Sequence, residues 1–164
     1  MILTPHIIIG AAIGAKTHNL GLIIILGLLS HVILDKIPHW DYTFSNILNF
    51  PRTKNFKMLT IDLIKIAIDG LIGLLIVFLI LWQKKLLNFS HLPFILLGIF
   101  ISVLPDIILG FLILFVPPHL SGKYFAFHHK YLHFKHKQKE GKFTFPGLLT
   151  QILVIVITIL FFFS

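Results

Sequence analysis

Between Ser30 and Asp41 the chain reads Ser-His-Val-Ile-Leu-Asp-Lys-Ile-Pro-His-Trp-Asp, which sets His31, Asp35, His39 and Asp41 close together at the end of an apolar run. His31 and Asp35 are four residues apart, so in a helix both project from one face, about one turn apart. Pro38 lacks an N–H and stops that helix, leaving His39 and Asp41 on the exit. Two imidazoles and two carboxylates at this spacing resemble the ligand supply of a divalent metal site. The competing structural reading is a helix end whose polar residues sit in the headgroup layer of a bilayer.

The other acids are equally unusual. Of the 6 Asp and Glu residues, only Glu140 falls in plainly polar sequence, and Asp62, Asp69 and Asp106 join Asp35 and Asp41 in or beside apolar segments. A carboxylate there costs a few kcal/mol by insertion scales, which makes each a functional candidate. The candidate ligand set is therefore His6, His31, Asp35, His39, Asp41, Asp69 and Asp106. His with carboxylate favours zinc, then manganese or iron, over calcium and magnesium, and this many candidates allows one ion or two. A metal that lowers the pKa of its bound water supplies a nucleophile at neutral pH without Ser or Cys. Asp62, Lys65 and Asp69 lie three and four residues apart and form one polar stripe on an apolar helix. The structural reading of that stripe is an ion pair between Lys65 and one Asp. The chemical reading makes Asp62 or Asp69 the general base and has Lys65, or Lys36, hold an anionic substrate group.

The elements that must position these residues are membrane helices. The 164 residues are 57% hydrophobic and only 12% charged, against roughly one quarter charged in soluble domains. The apolar runs are continuous rather than alternating, which predicts an all-α integral membrane bundle rather than a barrel. Five segments are expected in a single domain: Pro5 to Lys16, Leu20 to Ile37, Lys57 to Gln83, His91 to Val116 and Pro146 to Phe163. Thr4-Pro5 reads as an N-cap with Pro at the first helical position, and Ser90 as the N-cap of the fourth segment. The first segment is short for a crossing, and Gly10, Ala11, Gly14 and Ala15 give it a small face suited to close helix contact. The stretch from Tyr42 to Phe56 reads as a polar loop. No basic region precedes the first apolar run, so no cleaved leader is expected. There is no cysteine, which excludes disulfides and thiolate ligands.

The net charge is +8. The basic residues lie between apolar segments, which points to anionic membrane lipid as the partner and away from nucleic acid. If all five segments cross, ten Lys and Arg fall on one side (Lys36, Arg52, Lys54, Lys57, Lys123, Lys130, Lys135, Lys137, Lys139, Lys142) and Lys16, Lys84 and Lys85 on the other. That asymmetry predicts a multi-pass protein of the cell membrane with a cytoplasmic N-terminus. His6, the His31 to Asp41 stretch, Asp62, Asp69 and Asp106 then converge on the cytoplasmic half, Asp106 being roughly 16 Å inside at 1.5 Å per residue. Pro105 loosens the helix where Asp106 enters. His128, His129, His133 and His136 are interleaved with lysines in a stretch read as an amphipathic surface helix gathering anionic lipid, with chelation by His129 and His133 as the alternative. His18 and His91 fall on the opposite face and carry no expected chemistry.

With Thr4 to Gly14, Ser30-His31-x-x-x-Asp35 and Leu104-Pro105-Asp106 in place, the chain resembles the bacterial membrane-bound metal-dependent hydrolases, a group distantly similar to zinc-dependent phospholipase C. The resemblance implies metal ligation by His6, His31, Asp35 and Asp106 and a hydrolase activity. The expected function is hydrolysis of a phosphoester of a lipid or amphiphile at the cytoplasmic face. The alternatives are transport of a metal ion or proton through the same acids, or a non-enzymatic assembly subunit whose polar residues pair helix to helix.

Overall fold

A computed structural model describes residues 1–132 and 144–164. Residues 133–143, with His133, His136, Glu140 and four of the lysines, lie outside the described residues, as does the expectation that His129 and His133 chelate together. Among the described residues the chain is entirely helical: α1 Leu3–Lys16, α2 Leu20–Lys36, α3 Ser45–Thr53, α4 Phe56–Gln83, α5 Leu92–Phe115, α6 Pro118–Phe127, a single π-helical turn His128–Leu132, and α7 Phe145–Phe163. The five expected segments are α1, α2, α4, α5 and α7, each within about two residues of its expected ends. Three of them, α4, α5 and α7, are long and apolar enough to cross a membrane.

The packing follows from side-chain size. α1 is the hub and touches α2, α4, α5 and α7. Its Ile8, Ala11 and Ala12 are fully buried. A helix wrapped in protein on several sides has no need of bilayer length, which explains why α1 is short. The outer faces of the bundle carry the large side chains instead, among them Leu71, Leu75, Leu79 and Trp82 of α4. Glycine and alanine where α1 meets its neighbours, with large apolar groups facing out, is an arrangement of helices that pack in lipid.

α1 and α5 approach closely at Gly10, Gly14 and Gly98, where added Cβ atoms would run into the backbone of Gly98, Phe94 and Gly10 respectively. Neither backbone can yield without separating the helices. Gly110 on the same α5 has open space around its Cβ position. Gly98→Ala is therefore expected to cost about 1–3 kcal/mol by overpacking, while Gly110→Ala is neutral or slightly stabilising through helix propensity. Thermal unfolding in detergent, run on both variants, checks the contrast.

Three local expectations are corrected. Thr4 is not the N-cap of α1; the helix starts at Leu3, and Thr4 Oγ1 donates to Asp69 of α4, 2.6 Å to Oδ1 and 2.9 Å to the carbonyl. The Leu3 N–H also donates to Asp69 Oδ2, at 2.5 Å, so the cap comes from another helix. Ser90 does not cap α5; Asn88 Oδ1 accepts the His91 N–H at 3.1 Å. The stretch from Tyr42 to Phe56 is not all loop, because α3 forms within it. Asp62 accepts the Asn46 and Ile47 N–H groups at 3.0 and 3.2 Å, and Asn46 Nδ2 at 3.1 Å. A carboxylate on the first free N–H groups of a helix is a favourable charge at its positive end. Ile47 and Phe50 are buried from the other face of α3. The two acids of the α4 stripe thus hold two separate helix beginnings.

Candidate metal centre

α2 carries His31 and Asp35 in its last two turns and ends at Lys36, shortly before Pro38 forbids continuation. α5 runs through Pro105 and brings Asp106 alongside. The turn before Pro105 is where carbonyls become available to outside partners. There the Ser102 carbonyl accepts from His31 Nδ1 at 2.8 Å. Since a carbonyl only accepts, Nδ1 carries a proton, and Nε2 is the His31 nitrogen that faces the cluster. Ser102 Oγ also donates to the His6 carbonyl at 2.7 Å, so one α5 residue fixes both α1 and α2.

His31, Asp35, Asp106 and His128 each offer a ligand atom, and the four atoms lie within 4.8 Å of one another. His31 Nε2 stands 3.2 Å from Asp35 Oδ2 and 3.8 Å from Asp106 Oδ1, and His128 Nε2 stands 3.7 Å from Asp106 Oδ1. Ligands about 2.0–2.2 Å from a central zinc lie at mutual distances of this order, so the set needs only a small contraction to close on an ion. The side chains of His31, Asp35 and His128 are fully buried, while Asp106 is 27% exposed and forms the open side. The donor chemistry fits a cation. His31 Nε2 thus faces a carboxylate oxygen of Asp35 and one of Asp106 from within the buried group. Imidazole nitrogen and carboxylate oxygen together are the donor types that hold zinc and similar divalent ions.

The second oxygen of Asp35 faces elsewhere. Oδ1 lies 3.2 Å from His6 Nε2 and 2.6 Å from the Met1 α-ammonium, which is itself 3.3 Å from Asp41 Oδ2. The rings of His6 and His31 stack with centroids 4.5 Å apart. His6 therefore belongs to the site as the neighbour of the four-residue group. Asp41 is tied down from the other side by His39 Nε2 at 2.9 Å, while His39 Nδ1 meets the Ile37 carbonyl at 2.6 Å. Burial pushes the Asp41 carboxyl up, but the Met1 ammonium and the His39 ring outweigh this and hold it below the usual carboxylate range. The His39–Asp41 loop rests on α7, where Thr150 Oγ1 donates to the Pro38 carbonyl and Gln151 Nε2 to that of Trp40.

The remaining candidates have structural partners. Asp62 pairs with Lys65 at 2.9 Å and holds α3, as the ion-pair reading of the stripe expected. Asp69 holds the start of α1 and accepts from the Tyr42 hydroxyl at 3.3 Å. Burial and the Asp69 carboxylate push the Tyr42 phenol above its usual pKa, so it remains a donor. Neither Asp62 nor Asp69 belongs to the four-residue group. The surface-helix expectation does not hold at His128. α6 turns back after Pro117-Pro118 and returns the chain to the site, where His128 is fully buried and its ring stands 6.0 Å from that of His31. His18 and His91 pair with each other at 2.9 Å, away from the cluster.

No protein-family model, curated protein or solved structure matches the chain.

Proposed function

We propose that this protein is a multi-pass membrane enzyme that uses a divalent metal to hydrolyse a phosphoester of a lipid or amphiphile, with its site toward the cytoplasmic face of the cell membrane. The observation that supports it most is the convergence of His31, Asp35, Asp106 and His128 from three separate parts of the chain. His31, Asp35, Asp106 and His128 would hold the metal, and zinc, with manganese or iron next, is the ion this donor set suits. When bound, it supplies Lewis acidity and a bound water of lowered pKa.

The chain's own residues do the rest. Ser102 fixes the His31 tautomer and ring orientation through Nδ1. His6 steadies Asp35 from its second oxygen. The partly exposed Asp106 leaves one side of the site open, as catalytic metal sites do and closed structural ones do not. In the reaction, a water oxygen bonds to phosphorus, the bond from phosphorus to the departing alcohol oxygen breaks, and a water proton ends on that alcohol. This openness on one side, with His6, His31 and Asp35 sealed on the other, favours a reaction over passage of an ion.

The test is metal removal. Protein purified in nanodiscs is expected to contain stoichiometric zinc, manganese or iron by elemental mass spectrometry and to cleave bis(p-nitrophenyl) phosphate or lysophospholipid. Chelation should abolish turnover and readdition restore it. Absence of metal after incubation with excess ion would overturn the proposal.

A further inference from the structure

A cavity of about 450 Å³ adjoins the open side of the site. Its walls come mainly from the C-terminal half of α5, with α3, Phe44, Ile66 of α4, Leu3 of α1 and Phe125 of α6. Asp41, Tyr42 and Asp106, with Met1, make up its polar end, and the rest is aliphatic or aromatic. Ile107, Phe111 and Phe115 line it and are 48%, 58% and 72% exposed on the outer face of α5, so the cavity opens sideways toward the lipid-facing surface.

We infer that this cavity is the chain-binding channel of a single-chain lipid phosphoester, of the lysophospholipid class, whose phosphate reaches the His31, Asp35, Asp106 and His128 group. The inference rests on the hydrolase reading of that group and adds the class of substrate. Three features select the occupant. Acids and tyrosine at one end and an apolar bore elsewhere demand an amphiphile rather than a soluble phosphate or a hydrocarbon. Asp41 at the polar end is already paired with the Met1 ammonium and His39, while the Asp106 carboxylate repels a phosphate until a cation occupies the ligand group, so an anionic head and the metal are required together. The bore runs from Asp106 to Phe115, about 13 Å at 1.5 Å per residue. That length and volume suit one medium acyl or alkyl chain, whereas a diacyl lipid leaves its second chain outside and a polyprenyl chain overruns the end.

Gly110 lines the bore and has open space at its Cβ position, so a large side chain there fills the channel without displacing backbone. The experiment uses full-length protein in phosphatidylcholine nanodiscs and dodecyl phosphate bearing a diazirine at the chain end. On illumination with zinc present, labelling is expected to concentrate on the peptide containing Phe111 to Phe115. Unlabelled dodecyl phosphate should compete and dipalmitoyl phosphatidic acid should not. Gly110→Phe should cut labelling about tenfold or more by removing the apolar site while leaving metal content unchanged, and Ile113→Trp serves as the second blocking variant. Labelling spread evenly over the lipid-facing sides of α2 and α4, or undiminished in both variants, overturns the inference. Cavity labelling without cleavage of any phosphoester supports the amphiphile site while removing the hydrolase reading. Turnover of bis(p-nitrophenyl) phosphate without cavity labelling does the reverse.

Discussion

Asp35→Asn is expected to strip the metal from the protein and lower turnover by about a thousandfold or more, since loss of an outer-shell partner alone costs about 10–100-fold. Asp35 is the acid with both oxygens engaged, Oδ2 toward His31 and Oδ1 toward His6 and the Met1 ammonium. The amide keeps the shape and loses the charge, leaving the ammonium buried with Asp41 as its remaining carboxylate. A buried charge that loses its partner costs about 3–5 kcal/mol, so part of the effect will appear as lost stability. Elemental analysis on protein that retains its helical circular dichroism separates the two. His128→Ala should behave in the same way toward metal, because its ring stands against Asp106 at the open side. Normal metal content in both variants would show that the cluster is only a packing network.

Asp69→Ala is expected to give the largest loss of stability that leaves the ligand group intact, about 2 kcal/mol or more, since it strands the donors of Leu3 and Tyr42 at roughly 1–3 kcal/mol each if they stay unpaired, while Thr4 keeps the residue 69 carbonyl. The Asp62→Ala variant should lose less, because Lys65 is 39% exposed and α3 is peripheral to the bundle. The readout that matters is metal affinity. Asp69 positions α1 and so His6, and excess zinc should restore full occupancy to Asp69→Ala. A ligand role for Asp69 predicts that no amount of zinc does so. Thermal unfolding and a zinc titration on the same preparation decide between them.

The two aspartates also show where the sequence was readable. Their presence in an apolar helix, their shared face and the Lys65 pairing could all be seen from spacing. Their partners could not, because a helix capped by a carboxylate on another helix leaves no local signature. For the same reason Thr4 reads as a cap, and the polar and turn-favouring Asn46, Asn49, Pro51 and Arg52 mask in α3 the helical spacing of Ile47 and Phe50. The long helices were legible because continuous apolar runs admit few alternatives in lipid. Within the site, His31 and Asp35 share a turn and Pro105 marks Asp106, so these three were found directly. His128 was harder: Pro117-Pro118 announced a break, but the direction taken afterwards depends on how α6 packs against α5.

That return of α6 has a bearing on how the protein is made. A chain emerging into the membrane acquires His31 and Asp35 with its second helix, Asp106 only with its fifth, and His128 after the sixth. Until then the early pair offers too few donors to retain an ion. In the proposed enzyme metal capture would therefore be a late event of biogenesis, and a stalled or truncated product would be left without it. Retention of an ion would then certify that synthesis reached at least the turn after α6 and that the bundle closed around the site.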